Sequence, residues 1–179
     1  MEYTEYIKLR DKAETLIKKY FEGKVDKGGH DYKGHLYRVA GGIDMEWVIY
    51  GKEISDKAYI VALLHDILED TDCTADILRE EGFDDEIIDA VVAITRRKNE
   101  HHYSDFIKRV KTNKIARIVK IYDLEDNMDI RRLSKLEDRD LKRLKKYWYS
   151  WKYLKDEIDE ITYLSVINPN KLFEDMTLY

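Results

Sequence analysis

Cysteine, proline, glycine and long apolar runs are all scarce in this chain of 179 residues. The lone Cys73 excludes an intrachain disulfide framework or a cysteine-rich zinc site, and it suits a reducing compartment. One proline and eight glycines are too few for a linker-rich, collagenous or low-complexity protein. The most apolar stretch, Tyr59 to Leu64, falls far short of the roughly 20 residues needed to cross a bilayer. Met1 to Arg10 is mixed polar and aromatic and carries no secretory address, so a cytoplasmic protein without a membrane partner is expected. An excess of base is also missing. Acids outnumber lysines and arginines, 37 to 32, and the formal charge of −5 argues against broad capture of nucleic acid while leaving room for a local basic pocket.

What is present is helical periodicity. Residues 5–21 repeat apolar positions at helical spacing (Tyr6, Leu9, Ala13, Leu16, Ile17) until Gly23 stops them. Residues 24–34 hold three glycines and read as a structured connection. Periodicity returns over residues 36–50, with a break expected at Gly41-Gly42, where two helices could approach closely. Ser55 or Asp56 is the expected N-cap of a helix that is apolar on nearly every side, hence buried, and that runs into His65-Asp66. Further helices are expected over residues 74–81, 84–95, 104–111 and 113–127, and one long helix with a continuation over 136–167. No alternation of strand type persists, so the fold class is all-α: a compact helical bundle in one domain spanning residues 1–179.

Four metal-competent side chains stand out in this pattern: His35, the adjacent His65 and Asp66, and Asp123. Imidazole with carboxylate suits a borderline or hard divalent ion, and facing helices of a bundle can bring distant ligands to one centre. Glu69 and Asp70 lie four residues beyond His65 and Asp66, so on a continuing helix both would sit over the pair, where a carboxylate could serve as general base.

The residues His35-Leu36-Tyr37-Arg38-Val39-Ala40, His65-Asp66-Ile67-Leu68-Glu69-Asp70-Thr71 and Lys120-Ile121-Tyr122-Asp123-Leu124-Glu125-Asp126-Asn127-Met128 together resemble the HD-domain metal-dependent phosphohydrolases. Within them the chain looks most like the hydrolase domain of the RelA/SpoT stringent-response enzymes and their small stand-alone Mesh-type relatives, in order and spacing over about residues 24–133. The resemblance implies that His35, His65, Asp66 and Asp123 hold one divalent ion, manganese first, with Fe²⁺, Zn²⁺ or Mg²⁺ as alternatives. It implies that Glu69 and Asp70 position and deprotonate the attacking water. It further implies that Lys27, Tyr32, Lys98 and Asn127 meet a nucleotide substrate, a (p)ppGpp-type 3′-pyrophosphate ester among the candidates. Two departures bear on the substrate: Asp26 stands where the family usually carries arginine, and an acid there would repel phosphate; Leu124-Glu125-Asp126 replaces a more basic stretch.

Plainer explanations remain for several of these residues. Surface lysines and a helix-end asparagine need no ligand, and Asp70-Thr71 could simply end one helix. His101-His102 reads as a solvated loop, because adjacent side chains face different ways. The run Lys142 to Trp148 reads as a helix burying aromatics and exposing lysines, although an exposed aromatic stripe there could support a homo-oligomer. Alternatives to the alarmone reading are an HD-type 5′-nucleotidase or dNTP hydrolase, and a nucleotide-sensing module without chemistry.

Overall fold

The computed structural model describes residues 2–26, 28–44, 47–133 and 135–169. Among them the regular structure is helical: α1 (Tyr3–Tyr20), α2 (Lys33–Ile43), α3 (Trp47–Tyr50), α4 (Lys52–Leu64), α5 (Ile67–Asp70), α6 (Ala75–Glu80), α7 (Asp85–Ile94), α8 (Tyr103–Thr112), α9 (Lys114–Met128), a 3-10 turn (Ile130–Arg132), α10 (Asp138–Leu154) and α11 (Glu160–Ile167). The helix α4, apolar on almost all sides, takes the centre and packs against α1, α2, α3, α7 and α9. The amphipathic α1 lays Leu9, Ala13, Leu16 and Ile17 on it. Helix starts follow local chemistry: Asp84, Asn113 and Asp159 accept from the backbone N–H groups of Ile87, Ala116 and Thr162 at 2.8, 2.9 and 2.7 Å.

Two boundaries differ from those the sequence suggests, and the long C-terminal helix is followed by a continuation as expected. The Gly41-Gly42 pair does not break α2; the chain leaves the helix only after Ile43, and α3 is a separate turn. Gly42 instead lets α9 approach, since a Cβ there would stand 2.5 Å from Cδ1 of Tyr122. Ser55 and Asp56 are not caps. α4 begins at Lys52 after Gly51, whose φ of 82° only glycine adopts readily, and both polar residues are buried within the helix. The long C-terminal segment splits after Leu154. Lys111 and Arg117 donate to the last carbonyls of α10, Tyr153 and Leu154, at 2.7 and 2.6 Å, and Asp156 turns the chain at φ 59°. α10 then packs on α8, α9 and α11, which brings its lysine-rich face toward the site.

Residues 24–34 fold back through an antiparallel bridge between Val25 and Asp31, and Tyr32 N–H donates to Lys24 O at 3.0 Å. Asp26 stabilises this turn by accepting from Gly28 and His30 N–H at 2.8 and 3.0 Å.

Candidate active site

α4 ends where it delivers its polar pair. His65 is its C-cap and Asp66 the N-cap of the single turn α5, so the helix does not simply continue, although Asp70 N–H still donates to Asp66 O at 2.9 Å. α2 supplies His35 near its start, and α9 supplies Asp123. His35, His65 and Asp66 each place one ligand atom within 4.8 Å of the other two. Asp123 Oδ1 joins them, 3.2 Å from His35 Nε2 and 3.5 Å from His65 Nε2. Asp66 Oδ2 lies 3.0 Å from His65 Nε2 and 3.6 Å from His35 Nε2.

Both imidazoles are oriented from behind. His65 Nδ1 lies 2.7 Å from Ala62 O, and a carbonyl can only accept, so Nδ1 carries the hydrogen and Nε2 the lone pair of the neutral ring. His35 Nδ1 donates likewise to Asp126 Oδ2 at 2.6 Å, the carboxylate–histidine arrangement that steadies metal-ligating imidazoles. His65 Nε2 is wholly buried, with the Asp66 and Asp123 carboxylates beside it and no well-aligned hydrogen bond among the described residues. Two lone-pair nitrogens with two carboxylates form a donor set that fits a divalent cation of borderline or hard character.

The electrostatics point the same way. Burial disfavours charge on His65, yet Asp66 and Asp123 outweigh it and raise its pKa well above the usual histidine value; Asp123 and Asp126 do the same for His35. Burial would raise the Asp123 carboxyl, but the Lys120 ammonium, 2.7 Å from Oδ2, and the two imidazoles hold it well below the carboxylate range. Asp66 is lowered against burial, chiefly by His65. These buried carboxylates draw positive charge to one point.

The centre opens on a cavity of about 460 Å³. One end holds Asp66, Glu69, Asp70 and Asp123 with Lys120 against Asp123; Arg96, Arg132, Arg143 and Lys146 line the remainder together with Asp26 and Asp129. Tyr32, Tyr103 and Tyr147 supply aromatic wall. Among the lining residues, Arg132 Nε, Arg143 Nε and Tyr103 Oη are buried without a hydrogen-bond partner among the described residues, a pattern that a polar ligand would satisfy. Glu69 opens on this cavity. Partial burial raises its carboxyl above the ordinary glutamate value despite the Arg96 N–H, which donates to Oε2 at 3.0 Å. Tyr32 Oη lies 2.6 Å from Asp66 Oδ2 and 3.0 Å from Asp70 Oδ2, tying the two acids together.

The structure therefore brings His35, Asp66, Asp123, Glu69, Asp70, Tyr32 and Asn127 to one cavity, with His65 buried against His35 and Asp66. Asn127 also donates to Asp123 Oδ1 at 2.6 Å, so it steadies that carboxylate. Lys98 is exposed in the turn after α7 and does not line the cavity; Arg96 does. Lys27 lies outside the described residues. Asp26 does not present a free charge to a phosphate, contrary to the sequence-based expectation: its Oδ1 is taken by two backbone N–H groups, and Arg132 lies 3.3 Å from Oδ2. Sequence reasoning missed Asp126, Arg132, Arg143 and Tyr147 as parts of the site; the i, i+3, i+4 spacing of Arg143, Lys146 and Tyr147 on α10 was the available signal.

No protein-family model matches the chain, and no curated protein does. Among solved structures, it resembles one described as a metazoan ortholog of SpoT that hydrolyzes ppGpp and plays a role in starvation responses. The TM-score is 0.62 at 19% sequence identity, over 96% of this chain and 97% of that one. A likeness at this identity shows a shared all-α fold across nearly the whole of both chains.

Proposed function

We propose that this chain is a cytoplasmic, metal-dependent phosphohydrolase that releases pyrophosphate from a nucleotide 3′-diphosphate of the (p)ppGpp class. The observation that carries the reading is the convergence of His35 Nε2, His65 Nε2, Asp66 Oδ2 and Asp123 Oδ1 at one end of a cavity that Arg96, Arg132, Arg143 and Lys146 also line. His35, His65, Asp66 and Asp123 would hold the ion, Mn²⁺ by preference. Once bound there, it supplies Lewis-acid polarisation of water and of the phosphoryl oxygens.

The chain's own residues account for the rest. Glu69, its pKa raised by burial, takes one proton from the attacking water as that oxygen closes on phosphorus. The bond from phosphorus to the ribose oxygen breaks, and the same proton passes to the departing oxygen, leaving a free hydroxyl and pyrophosphate. Asp70, bonded to the Tyr32 hydroxyl, orients the water, and Lys120 holds Asp123 in place. Arg96 and Lys146 offer charge to the phosphates, Arg132 and Arg143, whose outer nitrogens pair with Asp26, Asp126 and Asp140, offer their Nε–H groups, and the tyrosines offer faces to ribose and base. Asp26 is already satisfied by the Gly28 and His30 N–H groups of its own turn and by the Arg132 guanidinium, so this acid does not favour a different phosphate ester.

The test is incubation of purified protein with Mn²⁺ and a nucleotide panel, with products identified. Pyrophosphate from ppGpp is expected; orthophosphate from nucleoside monophosphates, or triphosphate from dNTPs, would replace this reading with one of its enzymatic alternatives. Tight binding of intact nucleotide without turnover would make the protein a sensor.

A further inference from the structure

A second cavity, of about 280 Å³, adjoins the first and has no part in the reaction above. Tyr103 and Lys146 line both. Beyond that shared wall the second cavity is lined by His101, His102, Lys142 and Lys145, with α11 contributing Val166 and Ile167. Among the described residues no aspartate or glutamate lines it, although the chain as a whole is acidic. Lys142 and Lys145 make no ion pair with any described residue. Gathering like charges costs stability and focuses positive potential, and an anion relieves both effects.

Two further features concern the same place. α8, ten residues long, begins at Tyr103, and its N-cap His102 gives no side-chain hydrogen bond to the first turn, so the positive end of the helix meets the cavity. Ser104, in that first turn and among the lining residues, has a fully buried hydroxyl with no hydrogen-bond partner among the described residues. α10 straddles both cavities: Arg143 and Tyr147 face the first, Lys142 and Lys145 the second, and Lys146 both.

We propose that this second cavity is a phosphate-binding subsite continuous with the active site, which takes the phosphate or diphosphate arm of the substrate remote from the scissile bond. The assignment of the anion to the substrate rests on the hydrolase reading; the anion site itself does not. His101 and His102, exposed and unremarkable in the sequence, become part of its wall.

The test is the double variant Lys142→Gln/Lys145→Gln, at two exposed positions outside the catalytic machinery. KM for ppGpp should rise by about tenfold, from two solvent-exposed ion pairs lost. Turnover should stay within about twofold, and KM for guanosine 3′-diphosphate lacking the 5′-phosphates should not move. An equal rise in KM for both substrates would overturn the subsite. Calorimetry with inorganic tripolyphosphate on metal-stripped protein provides the arm independent of catalysis. Wild-type binding that weakens by about tenfold in the double variant and fades with added salt supports the anion site even if no nucleotide is hydrolysed. Unchanged tripolyphosphate binding, with unchanged KM, refutes it.

Discussion

Arg109→Ala should both destabilise the protein and slow its chemistry, although Arg109 is not among the cavity-lining residues. Its guanidinium donates to the carbonyls of Val92, Ala93 and Thr95 at 3.3, 2.7 and 2.9 Å, closing the C-terminal end of α7. It also grips Glu100 through Nε and Nη2 at 2.7 and 2.9 Å, and Glu100 in turn accepts from Arg97 N–H at 2.8 Å. This brace shapes the turn in which Arg96 N–H holds Glu69. Breaking a buried ion pair costs about 3–5 kcal/mol. Side-chain exposures of 19% and 12% place this pair somewhat short of full burial, so about 3 kcal/mol is the expected loss. For a chain of this size that lowers Tm by roughly 6–12 °C. A loosened Glu69 should lower kcat by about 10- to 100-fold with little change in KM.

The pH dependence has a defined sign. Arg109 holds the Glu100 carboxyl below its ordinary value, so this pair's stabilisation is present above the unfolded pKa of about 4.3 and is lost as pH falls through the lower folded value. The variant should therefore lose less stability than wild type on acidification below about pH 4. Thermal unfolding from pH 7 to 3, with initial rates at pH 7, measures all three effects. Arg109→Lys, which keeps charge but not the planar fork, should recover only part of the loss. A variant melting within about 2 °C of wild type with unaltered kcat would refute the brace.

Other outcomes are expected. Glu69→Gln should reduce kcat by about 10²- to 10⁴-fold while calorimetric Mn²⁺ affinity stays near wild type, and a parallel loss of affinity would move Glu69 from the water to the ion. Asp126→Asn, which weakens the support behind His35, should lower Mn²⁺ affinity by roughly 10- to 100-fold, read by titration of stripped protein. Gly42→Ala should cost about 1–3 kcal/mol in denaturant unfolding, because the added Cβ meets the Tyr122 ring; an unchanged midpoint would mean that α2 and α9 separate freely.

The convergence of His35, His65, Asp66 and Asp123 was legible because the signal is local. An adjacent His65-Asp66 after an apolar helix, and Asp123 with Asn127 one turn on, carry their meaning in spacing. The all-helical fold and the central position of α4 followed from periodicity. What escaped depends on contacts remote in sequence. The fate of the Asp26 charge is decided by Arg132, 106 residues away. Gly42 in isolation reads as a breaker, and only the ring of Tyr122 makes it a spacer. Arg96 and Lys98 sit two apart in one basic run, and the turn after α7 selects which one faces the cavity. On α10, lysines beside aromatics read equally as a solvated face, until packing on α8 and α9 sets that face beside the site.

In the proposed reaction, phosphate ester hydrolysis depends on one cation site formed by His35, His65, Asp66 and Asp123. The most direct measurement is pyrophosphate release from ppGpp by metal-stripped protein as Mn²⁺ is titrated back, with His65→Ala alongside. Negligible release is expected without the ion, with a saturable rise at one equivalent per chain and none from the variant. Release that survives chelation, or that is equal in His65→Ala, would contradict that dependence.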